Sequence, residues 1–191
     1  LLESGVVLSL MDMGKELPEY EEIPVPLRLP KKQQQAYDDL EHAFHELFQD
    51  RSREGRKLAQ KVLSVFLNLM TAYPDQPYGH QPVLHPVTRD PLVVPQNSGG
   101  PDEATEKDRQ ALDIIRRKVG CGESVLLYVN WVRLDSRMRL KRLLTESGIR
   151  AEIMEDTVPP RKREEWVENH LRQGMQVMIT NPGLVETGLD L

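Results

Sequence analysis

Apolar side chains recur along this chain with two different periods. Ile23, Val25, Leu27 and Leu29 alternate with proline or polar residues, a period of two that predicts a strand. Pro24 and Pro26 confine that strand to a sheet edge, because proline donates no ladder hydrogen bond. The period then lengthens. Tyr37, Leu40, Phe44, Leu47 and Phe48 fall at helical spacing, as do Leu58, Val62, Val65, Phe66, Leu69 and Tyr73. Two amphipathic helices are expected, over about 34–50 and 54–72. Proline then interrupts: seven of the 14 prolines lie between Pro74 and Pro101, alongside the cluster Asn97-Ser98-Gly99-Gly100. No long helix or central strand fits there, so residues 74–103 read as an extended surface connector. It would join an edge strand and two-helix lead-in, residues 1–73, to a second unit, residues 104–191.

In that second unit Ala111, Leu112, Ile114 and Ile115 mark a helix ending near Gly120. Val125 to Val129 are apolar throughout, as for a strand covered on both faces. A helix over about 134–147 should stop at Gly148, well placed just past its end. Ile149, Ala151 and Ile153 alternate as a second strand. Thr157 would cap a third helix, with Pro159 and Pro160 in its first turn and Gly174 beyond its end. Met175 to Thr180 form a third apolar strand. Strand, helix, strand, helix, strand with short links demands a parallel sheet with right-handed crossovers. The fold class is α/β.

Composition narrows the picture. Of 191 residues 39% are hydrophobic and 29% charged, enough for a real core. No apolar run approaches the roughly 18–20 residues of a membrane span. The opening lacks a basic start followed by a long apolar stretch, so no secretory leader is expected. A single cysteine, Cys121, excludes an intrachain disulfide and a cysteine-rich zinc site; a reducing, intracellular setting follows as the expectation, and the thiol reads as inert. The net charge of −5 argues against coating nucleic acid by bulk charge. The charge is graded, however: residues 1–50 hold 4 Lys/Arg against 11 Asp/Glu, and residues 133–172 hold 10 against 8. A polyanion site belongs in the C-terminal half.

Ligands of an open parallel sheet gather beyond the carboxyl ends of its strands. Three segments are expected there: Asn130-Trp131, Glu155-Asp156, and Asn181 to Leu191. In TNPGLVETGLDL, Pro182, Gly183 and Gly188 make a loop, and Thr180, Asn181 and Thr187 offer small polar donors. Such a loop can bring amides and hydroxyls to a phosphate, although a plain strand-to-helix turn would look the same.

The stretch GESVLLYVNWVRLDSRMRLKRLLTESGIRAEIMEDTVPPRKREEWVENHLRQGMQVMITNPGLVETGLDL resembles the second RecA-like lobe of superfamily-two helicases, most of all the Swi/Snf-like DNA translocases and their bacterial or mobile-element relatives. VLLYVN resembles motif IV, PPRKREEW the arginine-bearing segment that opens the next helix, and MITNPGLVETGLDL motif V. Upstream, LPEYEEIPVPLRLPKKQQQAYDDL is similar to the family's entry into that lobe, and EKDRQALDIIRRKV to the helix before its first strand. The resemblance covers nearly the whole chain, in order. The departures are Asp190, where the family usually has asparagine and DEAD-box helicases have an aspartate near the ribose, and the lack of any G-x-x-x-x-G-K-[ST] loop or acidic magnesium pair. The sequence also closes at Leu191, ahead of an arginine-rich motif VI.

The resemblance implies a RecA-like parallel sheet flanked by helices, truncated after motif V, with an N-terminal helical lead-in. It implies a fragment of an ATP-dependent DNA helicase or translocase, an ATP hydrolase only when complete. ATP and Mg2+ would belong to the full-length protein and not to the fragment. Thr180, Asn130, Trp131, Arg161 and Arg163, with Lys162 between the last two, would contact nucleic acid; Gly188 and Asp190 would face the nucleotide. No catalytic residue and no metal ligand are assigned. The implied partners are DNA, with RNA left open, and the N-terminal RecA-like lobe of the same protein. No membrane is implied, and the setting is cytoplasmic, nucleoid-associated in a bacterium.

Competing readings remain open. Arg161, Lys162 and Arg163 could be a solvated helix start paired with Glu164 and Glu165. Arg133, Arg137, Arg139, Lys141 and Arg142 read as a solvated outer helix face behind the sheet. Trp131 and Trp166 read as core or groove-wall residues, not base-stacking platforms. His42 and His45 lie one turn apart, but no further ligand is fixed by spacing to His80 or His85. For the whole chain, the alternative is a non-catalytic nucleic-acid-binding or regulatory module that keeps the fold. An unrelated dinucleotide enzyme is disfavoured, because no G-x-G-x-x-G follows a predicted strand.

Overall fold

A computed structural model describes residues 21–130 and 136–185. Among these lie five α-helices, a two-stranded antiparallel sheet and a three-stranded parallel sheet. The protein is α/β. No helix among the described residues is long and apolar enough to cross a membrane.

The lead-in is two packed helices, α1 (Lys31–Gln49) and α2 (Arg53–Ala72), within a few residues of the expected ranges. Their apolar stripes close on each other. Leu40, Val62, Phe66, Leu69 and Tyr73 are buried, and Phe44 stacks on Phe48 and meets Phe66 edge-on. Ser52 caps α2 by accepting the Gly55 amide at 2.9 Å. Residues 21–30, expected as an edge strand, form none. Pro24, Pro26 and Pro30 withdraw amide donors from this stretch, and its side chains Leu27 and Leu29 lie along Tyr37 and Pro74 instead.

The proline-rich segment holds no long helix and no central strand, as expected. It folds back as a hairpin, β1 (Val83–Leu84) against β2 (Pro91–Val93), with Val83 buried in the helical core. Proline tolerates this because β2 is an edge strand. Buried Tyr73 donates its hydroxyl to the Gln96 carbonyl at 2.7 Å, Gln33 donates to the Pro74 carbonyl at 3.1 Å, and the Ser98 amide to that of Pro77 at 2.9 Å. The segment is thus built onto the helices and does not merely span between two units.

The second unit has the predicted order: α3 (Glu106–Gly120), β3 (Val125–Tyr128), α4 (Ser136–Glu146), β4 (Ala151–Ile153), α5 (Arg163–Arg172) and β5 (Val177–Thr180). All three strands run parallel, in the order β3-β5-β4. The chain steps over one position from β3 to β4 and then returns, so crossovers of one hand must place α4 and α5 on opposite faces. The cores agree. Val177 and Ile179 of β5 pack with Leu112 and Ile115 of α3 and Leu140 and Leu144 of α4, whereas Met178 packs with Val167 of α5. It is therefore β5 that is covered on both faces; in β3, expected to be so covered, Tyr128 is 48% exposed. Gly148 and Gly174, at φ 75° and 90°, end α4 and α5 in the left-handed region as their positions foretold. Thr157 caps nothing: a 310 turn, Pro160–Lys162, leads into α5, and neither has a side-chain cap among the described residues.

One buried side chain joins the proline-rich segment to this unit. Arg139 of α4 grips Asp108 through Nε at 2.9 Å and Nη2 at 3.3 Å. It also donates to the Tyr78 hydroxyl at 2.6 Å and the Asp75 carbonyl at 3.0 Å. Burial alone would disfavour the charge, but bonding to and attraction by Asp108 hold the guanidinium pKa above its ordinary value. Sequence had placed Arg139 on a solvated face. Asp108→Ala strips this buried charge of its carboxylate and is expected to lower the unfolding free energy by about 3–5 kcal/mol in a urea titration. A loss under about 1 kcal/mol, the scale of a surface pair, would show that the knot contributes little.

A second prediction concerns pH. His80 lies over the Tyr73 ring, with centroids 5.6 Å apart, and donates Nε2–H to the Gln76 carbonyl at 2.5 Å. Burial lowers its pKa from the usual 6.5, against the upward pull of that hydrogen bond. Below 6.5 the unfolded chain therefore binds more protons than the folded one, so stability falls with acidification and is fully present above that value. His80→Gln should flatten the decline of Tm between about pH 7 and 5. Parallel declines in variant and parent would exonerate His80.

Candidate functional site

Because the strands are parallel, their carboxyl ends share one edge, with Tyr128 opposite Thr180 and Ile153 opposite Ile179. α5 begins on that edge, since it runs back before β5 starts. The edge gathers Asn130, the 310 turn with Arg161 and Lys162, Arg163 at the start of α5, and Thr180 with Asn181. Trp131, Gly188 and Asp190 lie outside the described residues.

The gathered residues differ in what they present. Asn130, Arg161 and Lys162 are exposed, and so are the acidic neighbours Glu155, Asp156, Glu164 and Glu165. Arg163 is buried, donating through Nε to the Val158 carbonyl at 3.2 Å and through Nη1 to that of Leu184. Its guanidinium is turned inward, to backbone carbonyls. Thr180 is wholly buried, and its hydroxyl has no hydrogen-bond partner among the described residues. Asn181 ties the ends of two strands. Its Nδ2 donates to the Val129 and Asn130 carbonyls at 3.2 and 3.3 Å, and its Oδ1 accepts the Gly183 amide at 2.9 Å. A second 310 turn, Pro182–Leu184, follows.

Beside the β3 exit lies a cavity of about 130 Å³ lined by Lys107, Tyr128, Asn130, Ser136 and the Arg139–Asp108 pair. Its charges are already bound to one another: Lys107 meets Asp75 at 2.5 Å. The same holds along α4, where Lys141 pairs with Glu152 at 2.7 Å and Arg142 with Asp102 at 2.5 Å. Arg139, Lys141 and Arg142 thus staple α4 to its surroundings, and no single sequence position signalled those partners; Arg133 lies outside the described residues.

Other candidates resolve locally. Trp166 is half-buried against Met154, Met175 and Met178 and stacks on His170 at 3.8 Å, a core role. His42 faces Glu46 at 3.4 Å and His45 faces Glu41 at 4.0 Å, all exposed, while His85 accepts the Thr88 amide at 3.1 Å. Among the described residues no group of three or more His, Cys, Asp or Glu is placed to hold a metal ion. Cys121 is exposed at the end of α3. No protein-family model matches the chain, and no curated protein matches it. What fold and site define is an α/β unit whose polar candidates meet at the carboxyl edge of a small parallel sheet.

Thr180→Val tests whether the hydroxyl is idle. With no bond to lose, the isosteric methyl should leave stability unchanged or raise it by up to about 1 kcal/mol. A loss of more than about 1 kcal/mol on chemical denaturation would reveal a partner for the hydroxyl.

Proposed function

We propose that this chain is part of an ATP-dependent nucleic-acid helicase or translocase acting on DNA in a cytoplasmic setting, and that its α/β unit is a partial second RecA-like lobe. One observation carries the reading. The described parts of the three segments that resemble helicase motifs are separate in sequence yet meet on the one edge of the sheet where a ligand of this fold class binds.

A motor that walks on any sequence must grip phosphates and ignore bases. On this edge the groups free to do so are the exposed Asn130 amide, Arg161 and Lys162. Four exposed carboxylates nearby weaken the field, so the chain alone should bind weakly and with strong salt dependence. Thr180 and Arg163 support this surface from beneath it. The described residues offer neither a phosphate loop nor a carboxylate cluster for Mg2+, so no step of ATP hydrolysis is assigned to them. ATP would be held chiefly by the other lobe of the complete protein.

A second reading, a binding or regulatory module without motor action, draws on the burial of Thr180 and Arg163, two residues the resemblance assigned to the track. Two measurements separate the readings. In a fluorescence-anisotropy titration with duplex DNA, Arg161→Ala or Lys162→Ala should reduce the slope of log affinity against log salt by about 0.7–0.9 each. In the complete protein ATP turnover should rise on adding DNA. Binding without DNA-stimulated turnover would favour the module, and the absence of both binding and stimulated turnover would sink the motor.

A further inference from the structure

Two buried or half-buried side chains bracket the turn after β5, and both spend their donors on backbone carbonyls. Asn181 opens the turn. Through Nδ2 it holds the exit of β3, at Val129 and Asn130, and through Oδ1 it holds Gly183 inside the turn. Arg163 closes it. One arm of its guanidinium reaches the Leu184 carbonyl, and another reaches Val158, on the path out of β4. The exits of all three strands are thereby linked in one chain of contacts, from Asn130 through Asn181 and Leu184 to Arg163 and Val158. The turn itself adds only short-range bonds, from the Leu184 amide to the Asn181 carbonyl and from the Val185 amide to that of Pro182, both 3.0 Å.

Carbonyls carry partial negative charge, and a guanidinium shared between two of them is fixed in direction as well as place. Lysine could keep the charge but could not span both. Arg163 is 8% exposed while its neighbours Arg161 and Lys162 are exposed, so the three basic residues divide into an inward one and an outward pair.

We infer that Arg163 and Asn181 are positioning residues that lock the 182–185 turn between the exits of β3 and β4, and that neither touches the bound polyanion. The inference rests on the nucleic-acid reading only for what the turn is held to do; the lock itself is a property of this chain.

The test has two arms on the 191-residue chain. Amide hydrogen exchange at Leu184 and Val185 should quicken roughly tenfold or more in Arg163→Lys and Asn181→Ala and stay unchanged in Arg161→Ala. Far-UV circular dichroism checks that each variant is folded. Should Arg163→Lys fail to fold, Asn181→Ala alone decides this arm. In the second arm, a salt titration with duplex DNA, Arg163→Lys should lose affinity about as much as Arg163→Ala, with the salt slope of both unchanged. Arg161→Ala should lower that slope by about 0.7–0.9. Unchanged exchange in the folded variants overturns the lock. A slope lowered by Arg163→Ala and restored by Arg163→Lys overturns the positioning role and makes Arg163 a phosphate contact. If the parent chain binds no DNA, the nucleic-acid reading fails, while exchange still decides the lock.

Discussion

A guanidinium taken out of water is costly unless every donor meets an acceptor, and that constraint at Arg139 organises the molecule. Its partners lie 31, 61 and 64 residues away in sequence, at Asp108, Tyr78 and Asp75. The partners stand on two stretches of chain, the segment after α2 and helix α3, so satisfying the charge fixes how these two and α4 lie relative to one another. Asp108 is committed twice. The same Oδ2 that faces Arg139 accepts the Thr105 amide at 2.8 Å, while the Asp108 amide donates to the Thr105 hydroxyl, closing a capping box at the start of α3. Weakening the pair therefore frays a helix as well as exposing a charge. An apolar replacement of the whole set can pack as well, whereas removal of one member leaves a buried charge unpaired.

The placement of α4 has consequences for the sheet. Held by Arg139 on the face it shares with α3, α4 leaves the opposite face to α5, and the return of the chain brings β5 between its predecessors. β5 alone is buried at all four positions, and it delivers Thr180 and Asn181 to the middle of the carboxyl edge. Asn181 can reach the β3 exit because β3 is its neighbour, and Arg163 can reach the turn because α5 starts on the same edge. The central strand thus sets both the core and the geometry of the candidate site.

Much of this was legible from side-chain period. Long amphipathic stripes placed α1 and α2 within a few residues, and three short apolar runs with a glycine after each of two helices gave the parallel βαβαβ pattern. Period says nothing about strand order, so the run Val125–Tyr128 looked as buried as Val177–Thr180, although Tyr128 faces solvent. At residues 21–30 the alternation was real but had no partner strand among the described residues, and proline had removed donors that pairing requires. Thr157 looked like a cap because threonine before Pro-Pro is a helix-start pattern, yet the chain entered α5 through a 310 turn that needed none. The box at Thr105 and Asp108, a threonine with an acid three residues on, carries no mark in the apolar period and came to light only in the structure. Nor was the grip of that acid on Arg139 legible, because it depends on a contact made only after folding.

The sequence Arg161-Lys162-Arg163 states the same limit most sharply. Three adjacent cations have one composition but not one direction. In a 310 turn each residue advances about 120° around the axis, and in an α-helix about 100°, so three consecutive side chains cannot share a face. One of them must turn towards the sheet, and the boundary between the two helix types, at Lys162 and Arg163, decides that it is Arg163. An inward arginine survives there because Val158 and Leu184 offer carbonyls where an apolar core would have offered none. Resemblance to a motif can say that an arginine belongs at this point of the fold. Which way that arginine points is set by the turn that carries it, and here it points to the backbone carbonyls of Val158 and Leu184.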